Sequence, residues 1–514
     1  MKKKIIIIGA GISGMTAGIY ALDNGYDVTI YEKHNIPGGQ CTGWYRKGVF
    51  IDGCAHWIVG TNPTSDLYPL WRHIGAFDLN STIYDTEYFC KYDIDGEIVT
   101  FYADDEKLKE ELIRVAPEDK KQIKRFINGI RAYKHIKVPV KKPLDLMNLF
   151  ELIGYGCSMI PVALHFAMYK HITVEDYLLK FKSPIIREVF HRFFGSNYNI
   201  HSMAYVMQAL AKKDAGVVEG GSIKVAKNVA KTFIEKGGVI LYNQNVDHIL
   251  IENNTAKGIV LDNGDVIHSD YVIASTDANH TMKQLLQDKY ADEYYETRFN
   301  NREDYPLSTG LLLSYKVDKI LYNQPKMISF KTNPINYEGM IIDELKIRNH
   351  SFDASLNKIK GTSTITILIN TPDFLYDNLS KLSKDEYNKK KEILGEQIRQ
   401  EVIKYFNLDS NIISLVDVAT PLTYERYTNA YRGSYMSFIT TDKSKGLMRK
   451  GLIKGLDNFV MAGQWIMPPG GLPIALFTGK HAIIRVCKMD NKNFLDLDYI
   501  YSNEALKKNL REPS

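Results

Sequence analysis

The sequence predicts an α/β fold, and three consecutive features near its start carry that prediction. Four isoleucines after Lys4 are typical of a strand that is buried on both faces of a sheet. A glycine-rich run over residues 9–14 follows directly, and an apolar helical pattern continues from it to Asn24 and Gly25. A second, β-branched strand then ends at Glu32. The order along the chain is therefore strand, glycine-rich run, helix, second strand and acidic residue.

This order of elements is typical of a dinucleotide-binding site. The glycines allow a tight turn that brings the backbone close to a pyrophosphate, and the helix start offers free N–H groups to it. A carboxylate at the end of the second strand is placed to bind the ribose hydroxyls. We therefore predict a Rossmann-type domain, and the predicted cofactor contacts in this part of the chain are Gly9, Gly11, Ser13, Gly14, Glu32 and Lys33.

Length and composition restrict the remaining possibilities. A chain of 514 residues is larger than a single hydrophobic core usually becomes, so we expect two joined domains. The net charge of +5 is small for this length and gives no case for nucleic acid as a partner. The five cysteines are odd in number and include no CxxC pair, which indicates neither a disulfide framework nor a zinc site. We expect a reduced, cytoplasmic protein without a bound metal.

Residues 152–169 contain no Asp, Glu, Lys or Arg, and lysines flank this segment on both sides. Its length is close to that of a membrane span. Pro161 would interrupt the hydrogen bonds of a single helix midway, and the glycines Gly154 and Gly156 weaken it further. We predict a pair of buried helices here. A shallow contact with the inner face of the membrane and a true span are the alternatives.

The paired glycines after Glu32 make the nature of the dinucleotide more specific. The run from Pro37 through Gly38, Gly39 and Gln40 resembles the second flavin motif of a large FAD-dependent family. That family includes amine oxidases, phytoene desaturases, carotenoid isomerases and retinol saturases. Its members usually carry a basic residue directly after the glycine pair; this sequence has Gln40 there, and Arg46 is the candidate to serve instead.

The run over residues 50–57 resembles the segment of this family that passes beneath the flavin ring toward the substrate. His56 and Trp57 lie at its end and, with Arg46, are the candidate catalytic residues. A histidine in such a run can equally be a core residue whose hydrogen bonds are satisfied. The resemblance leaves both interpretations of His56 open.

The chain carries a closing motif near its end, in which a strand ending in Ala-Gly precedes a short loop and a glycine-rich helix start. This pattern resembles the family's last flavin motif. A helix start presents free N–H groups and partial positive charge, which suits the anion of a reduced flavin. Many flavoproteins have Gly-Asp at this point, and Gln464 departs toward the desaturase and saturase branch. The resemblance implies further cofactor contacts at Gly463, Gln464, Gly471 and Leu472, and at Val246 and Ser275 earlier in the chain.

The resemblance also implies a division of the chain, with a glutathione reductase-like FAD domain interrupted by a substrate domain of mixed sheet and helices. The predicted FAD-binding parts are residues 1–67, 212–280 and 451–514. Residues 68–211 are predicted to form a helical cap, and residues 281–450 a substrate domain of sheet plus helices.

The sequence contains a single dinucleotide fingerprint, so electrons would pass to or from a quinone, oxygen or a carrier protein rather than a bound nicotinamide, or the reaction would transfer no electrons overall. The resemblance implies hydride exchange between flavin N5 and a carbon of a long unsaturated hydrophobic substrate, of a polyene, carotenoid or isoprenoid kind. Desaturation, saturation and cis/trans isomerisation stay open. An amine oxidase for small substrates and a non-catalytic isoprenoid-binding protein are the alternatives.

Overall fold

The computed structural model describes residues 2–54, 57–290, 292–443 and 448–502, which form strands and α-helices in a mixed α/β arrangement. The strands are β1 (Lys4–Ile8), β2 (Asp27–Glu32), β3 (Gly43–Arg46), β4 (Val49–Asp52), β5 (Ile58–Val59), β6 (Ile83–Tyr84), β7 (Tyr88–Ile94), β8 (Glu97–Tyr102), β9 (Ala215–Val218), β10 (Val239–Tyr242), β11 (Val246–Glu252), β12 (Thr255–Leu261), β13 (Val266–His268), β14 (Tyr271–Ala274), β15 (Thr309–Val317), β16 (Met327–Tyr337), β17 (Met340–Asn349), β18 (Ser363–Thr371), β19 (Ile413–Ala419) and β20 (Phe459–Met461). The helices are α1 (Ile12–Asp23), α2 (Tyr68–His73), α3 (Asp105–Val115), α4 (Lys120–Ala132), α5 (Leu149–Tyr169), α6 (Val174–Leu178), α7 (Pro184–Phe194), α8 (Ile200–Ala211), α9 (Gly221–Glu235), α10 (Ala278–His280), α11 (Glu293–Asn300), α12 (Asp373–Ser380), α13 (Lys384–Phe406), α14 (Pro421–Thr428) and α15 (Leu472–Met489).

A five-stranded parallel sheet, in the order β10-β2-β1-β14-β20, carries the first glycine-rich loop. Ile5 and Ile7 of β1 pack in the core that also contains α1 and α15, whereas Ile6 and Ile8 pack in the core beside β11 and β12. The strand is thus buried on both faces, as its isoleucines predict. Because parallel strands end at the same edge of a sheet, the residues after β1, β2, β14 and β20 meet there.

A second sheet of seven strands has the order β19-β15-β18-β17-β16-β7-β8. Its neighbouring strands are antiparallel except for the pair β16 and β7. Leu394, Ile398 and Val402 of α13 pack against its buried face. Strands β7 and β8 come from a much earlier part of the chain than the other five, so residues 68–211 supply strands to this sheet as well as helices.

The helical region packs through aromatic side chains. Phe101 of β8 stacks on Phe193 of α7 with ring centroids 4.3 Å apart, and Phe190 meets Phe126 edge to face at 4.8 Å. Thr173 caps α6, because its side chain accepts a hydrogen bond from the N–H of Asp176. The start of α6 is therefore stabilised by a side chain within the helical region.

The prediction of two buried helices within residues 152–169 is wrong. The structure has one continuous helix, α5, which runs through Pro161; Val162 is its one fully buried side chain, and most of the others are exposed. A capping box of Asn148 and Glu151 satisfies its first amides. Because a proline removes only one N–H, the helix continues on either side of it. By length and composition this helix could cross a membrane, and the described residues contain no other such helix.

Candidate active site

The loop after β1 has a shape that only glycine permits at two points. Gly9 has a φ of +98°, and a Cβ atom there would lie 2.9 Å from the carbonyl oxygen of Ser275. A Cβ atom on Gly14 would lie 2.1 Å from the carbonyl oxygen of Gly9. Gly11 caps the start of α1 without a side chain. The backbone therefore folds closely upon itself and leaves the first N–H groups of α1 accessible to an anion.

Glu32 lies at the end of β2 and turns its carboxylate toward this loop. Its Oε2 accepts a hydrogen bond from the N–H of Ala10 at 2.7 Å, and its Oε1 accepts one from the N–H of His34 at 2.8 Å. Burial raises the pKa of Glu32, and the two N–H donors oppose that shift. The acid is thus held beside the glycine loop, where the sequence predicts the ribose.

The paired glycines lie directly on the first loop. The N–H of Gly38 donates to the carbonyl oxygen of Ala10 at 2.8 Å, and a Cβ atom on Gly39 would lie 3.5 Å from the Cα of Gly11. Gly38 and Gly39 have φ values of +119° and +58°. Two motifs separated by more than twenty residues in sequence therefore form one backbone cradle.

A chain of hydrogen bonds joins this cradle to the closing motif. The Nε2 of Gln40 donates to the carbonyl oxygen of Ser434 at 2.6 Å, and its Oε1 accepts from the Nε2 of Gln464 at 3.3 Å. The Oε1 of Gln464 in turn accepts from the N–H of Gly471 at 3.4 Å. Gln40 and Gln464, the two residues that depart from the family pattern, thus bond to each other.

The closing motif brings the start of α15 to the same edge. Gly471 caps this helix with a φ of +93°, and Leu472 is its first residue. A Cβ atom on Gly463 would lie 3.9 Å from the Oγ of Ser13. Within the described residues, that buried Oγ has no hydrogen-bond partner. Two helix starts, each with free N–H groups, therefore lie beside an unpaired hydroxyl.

Three further predicted cofactor contacts, Ser275, Val246 and Lys33, differ in whether they belong to this cradle. Ser275 is part of it, since its N–H donates to the carbonyl oxygen of Ile8 at 3.0 Å and its side chain abuts Gly14. Val246 is buried at the start of β11, where it pairs with Leu261. Lys33 points toward the end of α14, because its Nζ donates to the carbonyl oxygen of Arg426 at 3.1 Å.

Two of the three candidate catalytic residues belong to the described residues, and they lie in or shortly after the hairpin of β3 and β4. Arg46 ends β3, and its Nε lies 3.7 Å from a carboxylate oxygen of Asp417 on β19, with half of the arginine side chain exposed. Trp57 meets Phe89 edge to face with centroids 5.2 Å apart. His56 lies outside the described residues. The structure thus brings Arg46 to the seven-stranded sheet and Trp57 to the aromatic cluster.

Sequence reasoning missed two residues that bind the motifs together. Ser434 accepts the hydrogen bond from Gln40 through its backbone carbonyl, which carries no sequence signal. Thr478 accepts a hydrogen bond from the N–H of Gly463 at 3.0 Å through its Oγ1. Thr478 lies within the first two turns of α15, on the side that faces the preceding strand. Helical periodicity in the sequence could have placed it on that side.

These residues fit an FAD. A Cβ atom on Gly11 would meet nothing within 4 Å, so the cradle has open space for a pyrophosphate there. Glu32 can accept from ribose hydroxyls, and the unpaired Oγ of Ser13 lacks a partner that a phosphate oxygen would supply. Fold and site together therefore define a dinucleotide-binding protein of the flavoprotein class.

Comparison with known proteins makes the family definite. A family model described as flavin containing amine oxidoreductase matches residues 12–483, and the chain belongs to this family. Phytoene desaturase (neurosporene-forming) of Rhodobacter capsulatus is 24% identical and covers 93% of this chain and 92% of its own. The chloroplastic prolycopene isomerase of Daucus carota is also 24% identical and covers 94% of this chain and 79% of its own.

Solved structures agree on the fold. A putrescine oxidase variant has a TM-score of 0.61 at 12% identity, covering 95% of this chain and 99% of its own. Cyclohexylamine oxidase of Brevibacterium oxydans has a TM-score of 0.59 at 14% identity, covering 96% and 100%. The predicted fold class and FAD are thereby confirmed, and the protein is an FAD-dependent oxidoreductase.

Proposed function

We propose that this oxidoreductase exchanges hydride with a carbon of a long unsaturated hydrophobic molecule of the polyene or carotenoid kind. The observation that carries the proposal is the exposed apolar face of α5, which offers a surface for lipid next to the helical region. The names of the relatives support it, since they describe a phytoene desaturase and a prolycopene isomerase. A small polar amine would need no such surface.

The face of α5 is wide and free of charge. Phe150, Ile160 and Leu164 are 83%, 66% and 65% exposed, and no charged side chain occurs between Glu151 and Lys170. A large contiguous patch of exposed apolar side chains on a protein marks an interaction site. The occupant we propose is the surface of a lipid bilayer, into which this face dips without crossing.

The charges around α5 suit such a surface. Lys141 and Lys142 precede the helix, where the Nζ of Lys142 donates to Glu151 at 2.9 Å, and Lys170 follows it. Lysine side chains at the ends of an apolar helix can reach anionic lipid headgroups while the apolar face enters the boundary with the acyl chains. A substrate that dissolves in lipid would then reach the protein without passing through water.

The opposite side of α5 fixes it to the helical region. Val162 is fully buried and packs in one small core with Tyr133 and Ala204, and Met159 and Phe166 contact that core. Because these contacts lie on one side of the helix, the other side stays free for lipid. The helix is therefore anchored to the protein while its apolar face points outward.

We propose that FAD is held by the cradle and its neighbours, and that FAD supplies a hydride acceptor or donor at its N5 when bound. The glycine loops admit the pyrophosphate, Glu32 orients the ribose, and the positive end of α15 favours negative charge on the ring. The proposed contacts are Gly9, Gly11, Ser13, Gly14, Glu32, Lys33, Gly38, Gly39, Gln40, Arg46, Val246, Ser275, Gly463, Gln464, Gly471 and Leu472.

Allylic hydrogens of a polyene are hardly acidic, so a side-chain base contributes little to their removal. The chain can instead promote the reaction by orienting the substrate and by excluding water from it. Trp57 with Phe89 and Phe193 offers an apolar wall for both, since these rings meet edge to face. We propose His56, Trp57 and Arg46 as positioning residues, with a quinone or a carrier protein as electron partner.

We propose the same division of the chain as the sequence predicts. Residues 1–67, 212–280 and 451–514 bind the cofactor in it, while residues 68–211 and 281–450 enclose the substrate. Strands β7 and β8 join the seven-stranded sheet, which is consistent with a cap and a substrate domain that form one layer.

The test is reduction of the bound flavin without oxygen. The purified protein with its FAD is mixed with a polyene in detergent, and in parallel with a primary amine, while flavin absorbance is followed and products are identified by mass spectrometry. Bleaching with the polyene and conversion of it support the proposal. Bleaching with the amine alone overturns it in favour of an amine oxidase.

A matched pair of variants tests the cofactor site independently of substrate. Glu32→Gln keeps the shape of the side chain but loses the charge that the ribose hydroxyls would meet, so less FAD should remain after purification. Glu235→Gln, on the exposed end of α9, is the control and should retain the full content. Undiminished flavin in Glu32→Gln would remove the ribose role.

A further inference from the structure

Cys41 and Cys54 lie opposite each other, although thirteen positions separate them in sequence. The hairpin of β3 and β4 pairs Gly43 with Asp52, and the N–H of Gly53 donates to the carbonyl oxygen of Thr42 at 3.0 Å, one step further. The next pair in this register is Cys41 and Cys54. Both cysteines are free, and the side chain of Cys54 lies near enough to that of Cys41 to raise the pKa of the Cys41 thiol.

The position of this pair in the hairpin suits a disulfide. Hydrogen-bonded and non-hydrogen-bonded pairs alternate along an antiparallel ladder, and Thr42 with Gly53 is a hydrogen-bonded one. Cys41 and Cys54 lie one position beyond this bond, just past the last paired residues Gly43 and Asp52, and continuation of the ladder to them would place their Cα atoms about 4.5 Å apart. Disulfides join Cα atoms that are about 4.4–6.8 Å apart, so the bridge can close without moving the strands far.

We infer that Cys41 and Cys54 are a reversible thiol–disulfide pair, with Cys54 as the entering thiol and Cys41 as the resolving one. Cys54 is partly exposed, whereas Cys41 is buried and donates its S–H to the carbonyl oxygen of Ser222 at 3.4 Å. An incoming reagent therefore reaches the sulfur of Cys54 first. The contact with Cys54, together with burial, raises the pKa of Cys41, so that this thiol keeps its proton until its neighbour has reacted.

The co-reactant is a low-molecular-weight disulfide such as oxidised glutathione. The thiolate of Cys54 attacks one of its sulfur atoms, which forms a mixed disulfide and releases one thiolate. The sulfur of Cys41 then attacks that of Cys54, gives up its proton, and releases the second thiolate. Both cysteines are oxidised, the small disulfide is reduced to two thiols, and excess thiol reverses the exchange.

The bridge would act on the proposed cofactor site, and this part of the inference rests on that proposal. The N–H of Cys41 donates to the carbonyl oxygen of Gly38 at 2.9 Å, and Gly38 is bonded to Ala10 in the glycine cradle. A covalent tie at Cys41 therefore restrains the paired-glycine loop against the hairpin. We expect FAD to dissociate more slowly from the oxidised protein than from the reduced one.

Peptide mapping of the full chain with its FAD tests the inference. The protein is equilibrated in glutathione buffers of increasing oxidised fraction, quenched in acid, alkylated and digested. We expect one cross-linked peptide that joins Cys41 to Cys54, with the loss of two hydrogen atoms, and its disappearance with excess dithiol. Cys157 is exposed on α5 and reports when exchange has occurred. Free thiols at both positions under conditions that modify Cys157 would overturn the inference.

Two single variants check the order of the steps. Cys41→Ser should leave Cys54 as a stable mixed disulfide with glutathione, because the resolving thiol is gone. Cys54→Ser should leave Cys41 unmodified, because it is buried. Cys157→Ser is the control and should form the cross-link as the unchanged protein does. Mapping of the unchanged protein decides the matter even if a variant does not fold, and none of these results depends on turnover of a polyene.

Discussion

Two long apolar helices of this protein lie in opposite surroundings. From Leu476 to Cys487, α15 is buried between the parallel sheet and α1, although it includes Lys480 and Arg485. From Leu152 to Tyr169, α5 has no charged residue, yet Val162 is its one buried side chain. The helix that contains charges is in the core, and the helix without them is on the surface.

The ion-pair partners of Lys480 and Arg485 explain why α15 can be buried although it contains charges. The Nζ of Lys480 is fully enclosed and donates to Asp496 at 2.7 Å and to Asp498 at 2.6 Å. Arg485 binds the carboxylate of Asp145 at 2.7 Å. A buried charge is tolerated where paired acceptors replace water. For α5, by contrast, the described residues cover one side of the helix with a small core and leave the other side exposed. Apolar composition therefore does not decide which helix is buried.

Loss of the buried ammonium group should have the largest effect on stability. Lys480→Ala leaves two carboxylates without their shared donor, and breaking a buried ion pair in this way costs about 3–5 kcal/mol. The free energy of unfolding, measured in urea with saturating FAD, should fall by that amount.

The control for this experiment is Lys488→Ala, in the last turn of the same helix, where the side chain is exposed. It should change the free energy of unfolding by less than about 0.5 kcal/mol. Equal losses in both variants would mean that the enclosed pair contributes nothing beyond helix propensity.

A histidine in α15 should make the protein sensitive to acid. Burial, and then the charges of Lys480 and Arg485, lower the pKa of His481 to about 3. The folded state therefore binds fewer protons than the unfolded state between about pH 6.5 and pH 3, and stability falls as the pH falls through that window. Between pH 7 and pH 5 we expect a loss of about 2 kcal/mol from this residue.

Unfolding in urea at the two pH values, with His481→Gln beside the unchanged protein, measures this contribution. The variant should lose less stability on acidification, because its side chain does not titrate. His171→Gln, at an exposed position just after α5, is the control. An unchanged pH dependence in His481→Gln would show that other groups cause the acid sensitivity.

The cofactor half of the fold could be predicted from sequence because its signals are local. The isoleucines of β1, the glycine-rich run before α1 and the Ala-Gly directly after β20 each specify an element by themselves.

The rest depends on contacts between distant residues. Sequence gives no sign that β7 would pair with β16, since parallel pairing across two hundred residues leaves no local pattern. The hydrogen bond from Gln40 to the carbonyl oxygen of Ser434 involves a backbone atom, so no residue type in the sequence predicts it. Cys41 and Cys54 become neighbours only once the register of the hairpin is known.

The smallest expected effect on stability separates the two sides of α5. Ile160→Gln introduces a polar group at a position that is 66% exposed, and the free energy of unfolding should change by less than about 0.5 kcal/mol. Val162→Gln makes the same kind of change two residues later on the buried side, where an unsatisfied amide costs about 1–3 kcal/mol.

Membrane binding should respond in the opposite sense. In flotation with vesicles of anionic phospholipid, Ile160→Gln should bind more weakly than the unchanged protein, because less apolar area enters the lipid. Val162→Gln should bind as before wherever it is folded. If Ile160→Gln instead lowers stability as much as Val162→Gln does, and the unchanged protein is a dimer, then a second copy of the chain covers this face and the membrane contact is wrong.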